Sequence, residues 1–164
     1  MKSRLDIRKQ NILMLAVLFA IFISAFLFLT QKNQEIEKTQ LLQVNLVNSK
    51  NEYLRINAEI ADNESEQLKG LGGRGKIPSD RGMLFVFQEE YILNFWMKDM
   101  KFALDMIFLD SQFNIVDIKQ NLQPCKPDEA CPIYFPQKPA QYVLEINAGL
   151  AKRNNIKIGD RAIV

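Results

Sequence analysis

The side chains able to do chemistry in this chain are few, and their types set firm limits. There is no histidine among the 164 residues. That removes Ser-His-Asp and Cys-His nucleophiles, His-Glu-x-x-His zinc sites and histidine pH switches. The two cysteines cannot supply the four thiolates of a zinc or iron–sulfur centre. Carboxylates are left as the general acid–base candidates, chiefly Asp99, Asp105, Asp110 and Glu145. Asp105 and Glu145 are the unusual ones, because each interrupts an apolar strand pattern, ALDMIF and YVLEIN. Alternation could put both on a solvent face. A buried carboxylate would instead need a partner, which Arg74, Arg81 or Lys98 could provide. Acting as acid and base on a glycan, the two carboxyls would have to stand roughly 5–10 Å apart across a cleft.

Sulfur is the other reactive element. Cys125 and Cys131 enclose five residues of a proline-rich segment. Redox catalysis usually uses the tighter C-x-x-C spacing, so a loop-pinning disulfide is the favoured reading in an oxidising compartment, with catalytic or metal-binding thiols as the alternative. Met83, Met97, Met100 and Met106 crowd the middle of the chain beside Trp96. Thioethers suit Cu(I), but Lys98 sits between Met97 and Met100, and methionine is also an ordinary core filler. No metal site and no cofactor is expected. Trp96, Lys98 and Asp99 mix aromatic and charged character in the way that lines ligand pockets, against the commoner fate of a lone tryptophan, burial. KGLGGRGK at 69–76 lacks the spacing of a phosphate loop and reads as a turn with close backbone approach.

These residues need elements to hold them, and the first is a run without charge, ILMLAVLFAIFISAFLFL at 12–29. As a helix its eighteen residues would extend ~27 Å, near the ~30 Å of a hydrocarbon core. Lys2, Arg4, Arg8 and Lys9 against Asp6 give +3 before the run, and Lys32 and Lys38 balance Glu35 and Glu37 after it. The positive-inside bias then keeps the N-terminus inside. The expected organisation is a basic cytoplasmic tail at 1–11, a transmembrane signal anchor at 12–30, a polar linker at 31–42 and an exported domain at 43–164. Ser24-Ala25 offers a competing signal-peptide cleavage site, but four apolar residues follow it. The chain's +2 is a sum over two compartments. Residues 31–164 hold 17 basic and 18 acidic side chains, a net of −1, so no basic field remains there for nucleic acid.

In the exported part the period is two. LLQVNLV and EYLRINAEIAD alternate apolar and polar residues, with NSKNE as a turn between them. Asn63 followed by Glu66 marks the start of a helix that the glycines at 70–75 must end. MLFVF, ILNFWMK, LDMIFLD, NIVDIK and QYVLEIN are further strands, the third and fourth joined by the hairpin loop DSQFN. QPCKPDEACPIYFPQKP holds five of the six prolines and reads as a loop. AGLAKRN supplies one or two helical turns, and RAIV closes as a short strand. Seven or eight short strands with one or two brief helices indicate a mainly β domain, a compact sandwich or barrel.

Several of these segments in order, LKGLGGRGKIPSDRGMLFVF, FWMKDM, LDMIFLD, the cysteine loop and YVLEINAG followed by IKIGD, resemble the family known as domain of unknown function 192. The resemblance covers roughly residues 53–164. It implies a compact β-rich domain, often exported or membrane-tethered, with no established activity. Arg74, Arg81, Trp96, Met97, Lys98, Asp105 and Glu145 match the family's pattern and are the candidates for a shared binding surface. Lys69, Gly72, Gly73, Asp99, Met100 and Ala103 depart from it.

The expected function is a single-pass protein of the bacterial cytoplasmic membrane whose periplasmic domain binds an unknown envelope ligand or protein without catalysis. A carboxylate-dependent glycan hydrolase using Asp105 and Glu145 is the first alternative, and a Met/Cys metal-handling protein the second. Whether any reaction is catalysed stays open at this level, with the residue inventory weighing against it.

Overall fold

A computed structural model describes residues 14, 15, 17–28, 41–127 and 129–164. Within the apolar run, residues 14, 15 and 17–28 are helical (α1). No helix among the described residues is long and apolar enough to cross a membrane. The expected basic tail, both ends of the expected membrane helix and the expected linker up to residue 40 lie outside the described residues. α1 and the rest of the described chain form separate compact units.

The larger unit is mainly β. Its strands are β1 (Leu41–Val47), β2 (Tyr53–Ala61), β3 (Arg81–Tyr91), β4 (Phe95–Trp96), β5 (Leu104–Leu109), β6 (Ile115–Leu122), β7 (Ile133–Tyr134), β8 (Ala140–Asn147) and β9 (Arg161–Ile163). Two short helices accompany them, α2 (Glu64–Lys69) and α3 (Leu150–Arg153). β1 starts two residues before the expected start of the domain at 43, because Leu41 and Leu42 already pair with Glu59 and Ala58 of β2. The segment 92–98, expected as a full strand, contributes only β4.

Seven strands make one curled sheet, a half-barrel, in the order β6-β5-β8-β3-β2-β1-β9. The two outer strands approach one another where Asn114 bridges Arg161, and Ala162 N–H donates to the Phe113 carbonyl at 2.8 Å. The pairing is antiparallel except between β2 and β3, which run parallel. Parallel neighbours need a crossover rather than a hairpin, and residues 62–80 provide it. The crossover opens with α2, where Asn63 accepts a hydrogen bond from the Glu66 N–H at 3.1 Å and Glu66 reaches back to the Asp62 N–H. Gln67 ties the helix to β3 by donating to the Val86 carbonyl at 2.8 Å. α2 then stops at Gly70, whose φ of +48° favours glycine.

Both faces of the central strands are buried. Leu84, Ile107, Leu144 and Ile146 point into the concave core with Val44, Leu46, Ile56 and Ala162. Met83, Phe85, Met106, Phe108 and Val143 form a second core on the convex face with Leu71, Ile77, Leu93 and Met97. The sheet is not half of a sandwich. Its convex face is covered by the crossover, by irregular chain and by the two-stranded sheet β4-β7. That cover positions the candidate site.

Candidate ligand-binding site

β8 alternates across the sheet, so successive residues serve different cores. Glu145 stands opposite Met83 of β3 and Met106 of β5, both in the convex core. Asp105 stands opposite Ile146, which belongs to the concave core. The two carboxylates therefore occupy opposite faces of one sheet. They do not flank a common cleft, and the acid–base pair of the hydrolase reading is not formed.

Their surroundings differ as much as their positions. Asp105 is fully buried, and its partner is neither arginine nor lysine. Oδ1 accepts from the backbone N–H of Asn121 at 2.8 Å and of Gly149 at 3.0 Å, and Oδ2 accepts from Ala151 at 3.0 Å. The carboxylate thus joins the end of β6 to the start of α3. Charge-assisted bonds of this kind are the stronger sort, and here they serve architecture.

Glu145 is only 4% exposed, yet its carboxyl makes no hydrogen bond and no ion pair among the described residues. Every fully enclosed polar side-chain atom among those residues has a partner, so the Glu145 oxygens must open onto space. The space is a cavity of about 240 Å³ on the convex side, which Glu145 lines. Removal from water disfavours the charged form and pushes its pKa up to about 8. Near neutral pH this side chain is mostly a carboxylic acid, able both to donate and to accept. Gly82 allows the close packing behind it, since a Cβ there would lie 2.5 Å from the Glu145 carbonyl oxygen.

The cavity wall comes from three segments. α2 and the glycine turn bring Gln67, Leu68, Lys69 and the backbone of 70–72; β3 brings Phe85 and Phe87; the segment around β4 brings Phe95, Trp96, Lys98 and Met100. Phe95 is held edge-on against Phe85, with ring centroids 5.0 Å apart, an arrangement aromatic quadrupoles favour. Gly73 N–H donates to the Asp99 carbonyl at 2.8 Å and fastens the glycine turn to the segment after β4. A Cβ on Gly72 would meet Lys69 O at 3.0 Å and Lys98 O at 3.7 Å, the close approach the glycine-rich spacing suggested. Trp96 is not buried. It is 44% exposed at the cavity mouth, and a shallower cleft continues past it over Gly73, Asp99 and Lys101.

The cysteine loop supports this mouth. Cys125 and Cys131 are joined as a disulfide, with Cα atoms 5.3 Å apart. Cys125 N–H donates to the Met97 carbonyl at 3.3 Å, and β7, which follows the loop, pairs Ile133 with Trp96. Asp117, buried, anchors the next stretch by accepting from Gln137 N–H at 2.9 Å while pairing with Lys119 at 2.8 Å.

Of the seven expected surface residues, three meet at the cavity: Trp96, Lys98 and Glu145. Arg74 is committed elsewhere, in a two-pronged pair with Glu59 at 2.5 and 2.7 Å. That hydrogen-bonded pairing outweighs partial burial, holding the Glu59 pKa low and the Arg74 pKa high. Arg81 lies half-buried at the start of β3, where its charge also favours ionised Glu59. Met97 is fully buried in the convex core with Met83 and Met106, as filler. With both cysteines in a disulfide, no thiolate is available for the sulfur metal site. Gln67, Leu68, Lys69, Phe85 and Phe87 escape a reading of sequence alone. The one signal was Leu68, a large apolar residue that a six-residue helix leaves 66% exposed.

Comparisons with known proteins agree with this architecture. The family model DUF192, described as "Uncharacterized ACR", matches residues 45–164. A UPF0127 protein of Pyrococcus furiosus is 30% identical over 115 residues, spanning 69% of this chain and 90% of the relative. One from Pyrococcus abyssi is 32% identical over 105 residues, 63% of this chain and 81% of the relative. A crystal structure of a putative transcription regulator from Sinorhizobium meliloti superimposes with a TM-score of 0.69 at 34% identity, covering 74% of this chain and 91% of that one. A protein of unknown function from Novosphingobium aromaticivorans gives 0.67 at 31%, covering 76% and 85%. The chain belongs to the DUF192 family.

Proposed function

We propose that this chain is a single-pass, membrane-anchored module whose extracytoplasmic β domain binds a small ligand without transforming it. The observation that carries the binding role is Glu145, a buried carboxyl with no partner among the described residues, opening into a cavity rimmed by an exposed tryptophan. An unpaired buried polar group is costly, and a bound molecule that hydrogen-bonds to it would remove the cost. Catalysis by a carboxylate pair has no support, since Asp105 faces the other core and is saturated by backbone N–H groups.

The anchor and the export rest on sequence: the charge-free run 12–29, the +3 before it and the Cys125–Cys131 disulfide expected of an oxidising compartment. In this reading the N-terminus lies on the cytoplasmic side of the bacterial cytoplasmic membrane and the β domain in the periplasm. The net −1 of residues 31–164 speaks against nucleic acid as the ligand.

Two measurements test it. Protease added to spheroplasts should digest the β domain while sparing a cytoplasmic control; full protection would place the domain inside and end the export reading. Thermal-shift screening of the full-length protein in detergent against small fragments should give stabilising hits, since a ligand of the folded state raises its melting temperature. Those shifts should vanish in Glu145→Leu and in Trp96→Ala. Shifts unchanged in both variants would move the binding site away from this cavity.

A further inference from the structure

We propose that the Glu145 cavity takes a small organic anion with an apolar body, its anionic group at the mouth beside Lys69 and Lys98 and its body against Phe85, Phe95 and Trp96. The inference rests on the binding reading above and adds the ligand's chemical class. The charges around the opening come first. Lys69 and Lys98 line the cavity, and Lys101 lines the cleft that continues from it. None of the three makes an ion pair among the described residues. The acidic groups on the same walls are Glu64 and Asp99, so three cations face two anions, and Glu145 adds little negative charge while it is protonated. The arginine on the same turn, Arg74, is already neutralised by Glu59. With Glu145 protonated the opening is therefore net positive by one charge, three lysines against two carboxylates that are likewise without ion pairs among the described residues.

Size and lining narrow the class further. About 240 Å³ is room for roughly eight waters at ~30 Å³ each, enough for one small molecule beside Glu145, while the adjoining cleft of about 810 Å³ gives any longer ligand room to extend past Trp96. The inner wall is aromatic, and among the described residues the only polar side chain buried in it is Glu145. A carboxylic acid there can both give and take a hydrogen bond, so it suits a ligand whose inner end carries a carbonyl, hydroxyl or amide. Aromatic rings around a carboxylate would also suit an ammonium ion. Lys69 and Lys98 oppose that choice, because any cation entering must pass and then remain beside them.

The chain has a single tryptophan, Trp96, at the mouth, so its emission reports on this cavity alone. Full-length protein in detergent at pH 7 would be titrated with 3-phenylpropionate, 3-phenylpropanamide and 3-phenylpropylamine, followed by tryptophan emission and thermal shift. The carboxylate is expected to bind at least about tenfold more tightly than the amide or the amine. That preference should disappear in the double variant Lys69→Gln/Lys98→Gln, whose exposed substitutions leave the fold intact as judged by its unfolding midpoint. If the amine or the amide binds as tightly as the carboxylate, the anion assignment fails while the cavity stands as a binding site. If none of the three changes emission or stability at millimolar concentration, the anion assignment and the small-ligand reading of the cavity fall together.

Discussion

Asp105 and Glu145 are adjacent in register, one on β5 and the other on the neighbouring β8, yet they sit on opposite faces and live by opposite rules. Asp105 is ringed by three backbone N–H groups that share its charge. Glu145 has apolar neighbours and a cavity, and gives up its charge instead. Burial alone therefore does not tell what a carboxylate is for. The partners decide. A saturated carboxylate is a fastener, and removing it should cost stability; a bare one is a standing expense to the fold, retained for something other than stability.

The comparison breaks most readily at Asp105. Asp105→Ala leaves three backbone donors without their acceptor, and about 3–5 kcal/mol of destabilisation is expected by urea unfolding; a loss below about 1 kcal/mol would mean that water replaces the carboxylate. Glu145 should answer with the opposite sign. Its folded pKa, about 8, lies above the ordinary value near 4.3 for an unfolded chain. Between those values the folded state holds a proton that the unfolded state has released. Stability should therefore fall as pH rises from about 4.5 to 8 and level off above, the folding constant dropping by up to about tenfold per pH unit. Glu145→Leu should flatten that slope and be more stable than the parent at pH 9. A parent whose unfolding midpoint does not change between pH 5 and 8 would show that Glu145 is not desolvated.

Smaller effects sharpen the same contrast between fastening and recognition. Replacing Cys125 and Cys131 together by serine should cost about 2 kcal/mol, the chain-entropy estimate for so short a loop. It should also alter Trp96 emission, because the loop leads into β7, the strand beside Trp96. Arg74→Ala breaks a partly exposed pair and should cost about 1 kcal/mol without changing ligand affinity, since Arg74 lies outside the cavity wall. A tenfold affinity loss in Arg74→Ala would extend the site to the Glu59 pair.

Much of the fold was legible because half-buried strands announce themselves. β1, β2 and the loop between them follow from the alternation of 41–61, and the capping side chains of α2 are visible in the spacing of Asn63 and Glu66. The parallel pairing of β2 with β3 was not, since strand direction is set by a crossover whose path has no local signature. The faces of Asp105 and Glu145 were hidden for a related reason. All six residues of β5 are buried, as are Val143 to Ile146 of β8, so alternation there separates two apolar environments rather than oil from water. Residues of the site reached by sequence, such as Trp96 and Lys98, carry unusual chemistry in themselves. Phe85 and Phe87 look like any core phenylalanines, and only the packing of the crossover shows which of them faces a cavity.

The meeting of β9 with the residues before β6 bears on how this domain could tolerate crowding by its own copies. An open seven-stranded sheet presents two rows of unsatisfied amides, each a template on which a neighbouring chain could stack. Here the rims converge, the Asn114–Arg161 bridge fastens them at one end, and the last strand is only three residues long. Copies held side by side would find little free edge to extend. The curl that builds the concave core thus also keeps such copies from zipping together.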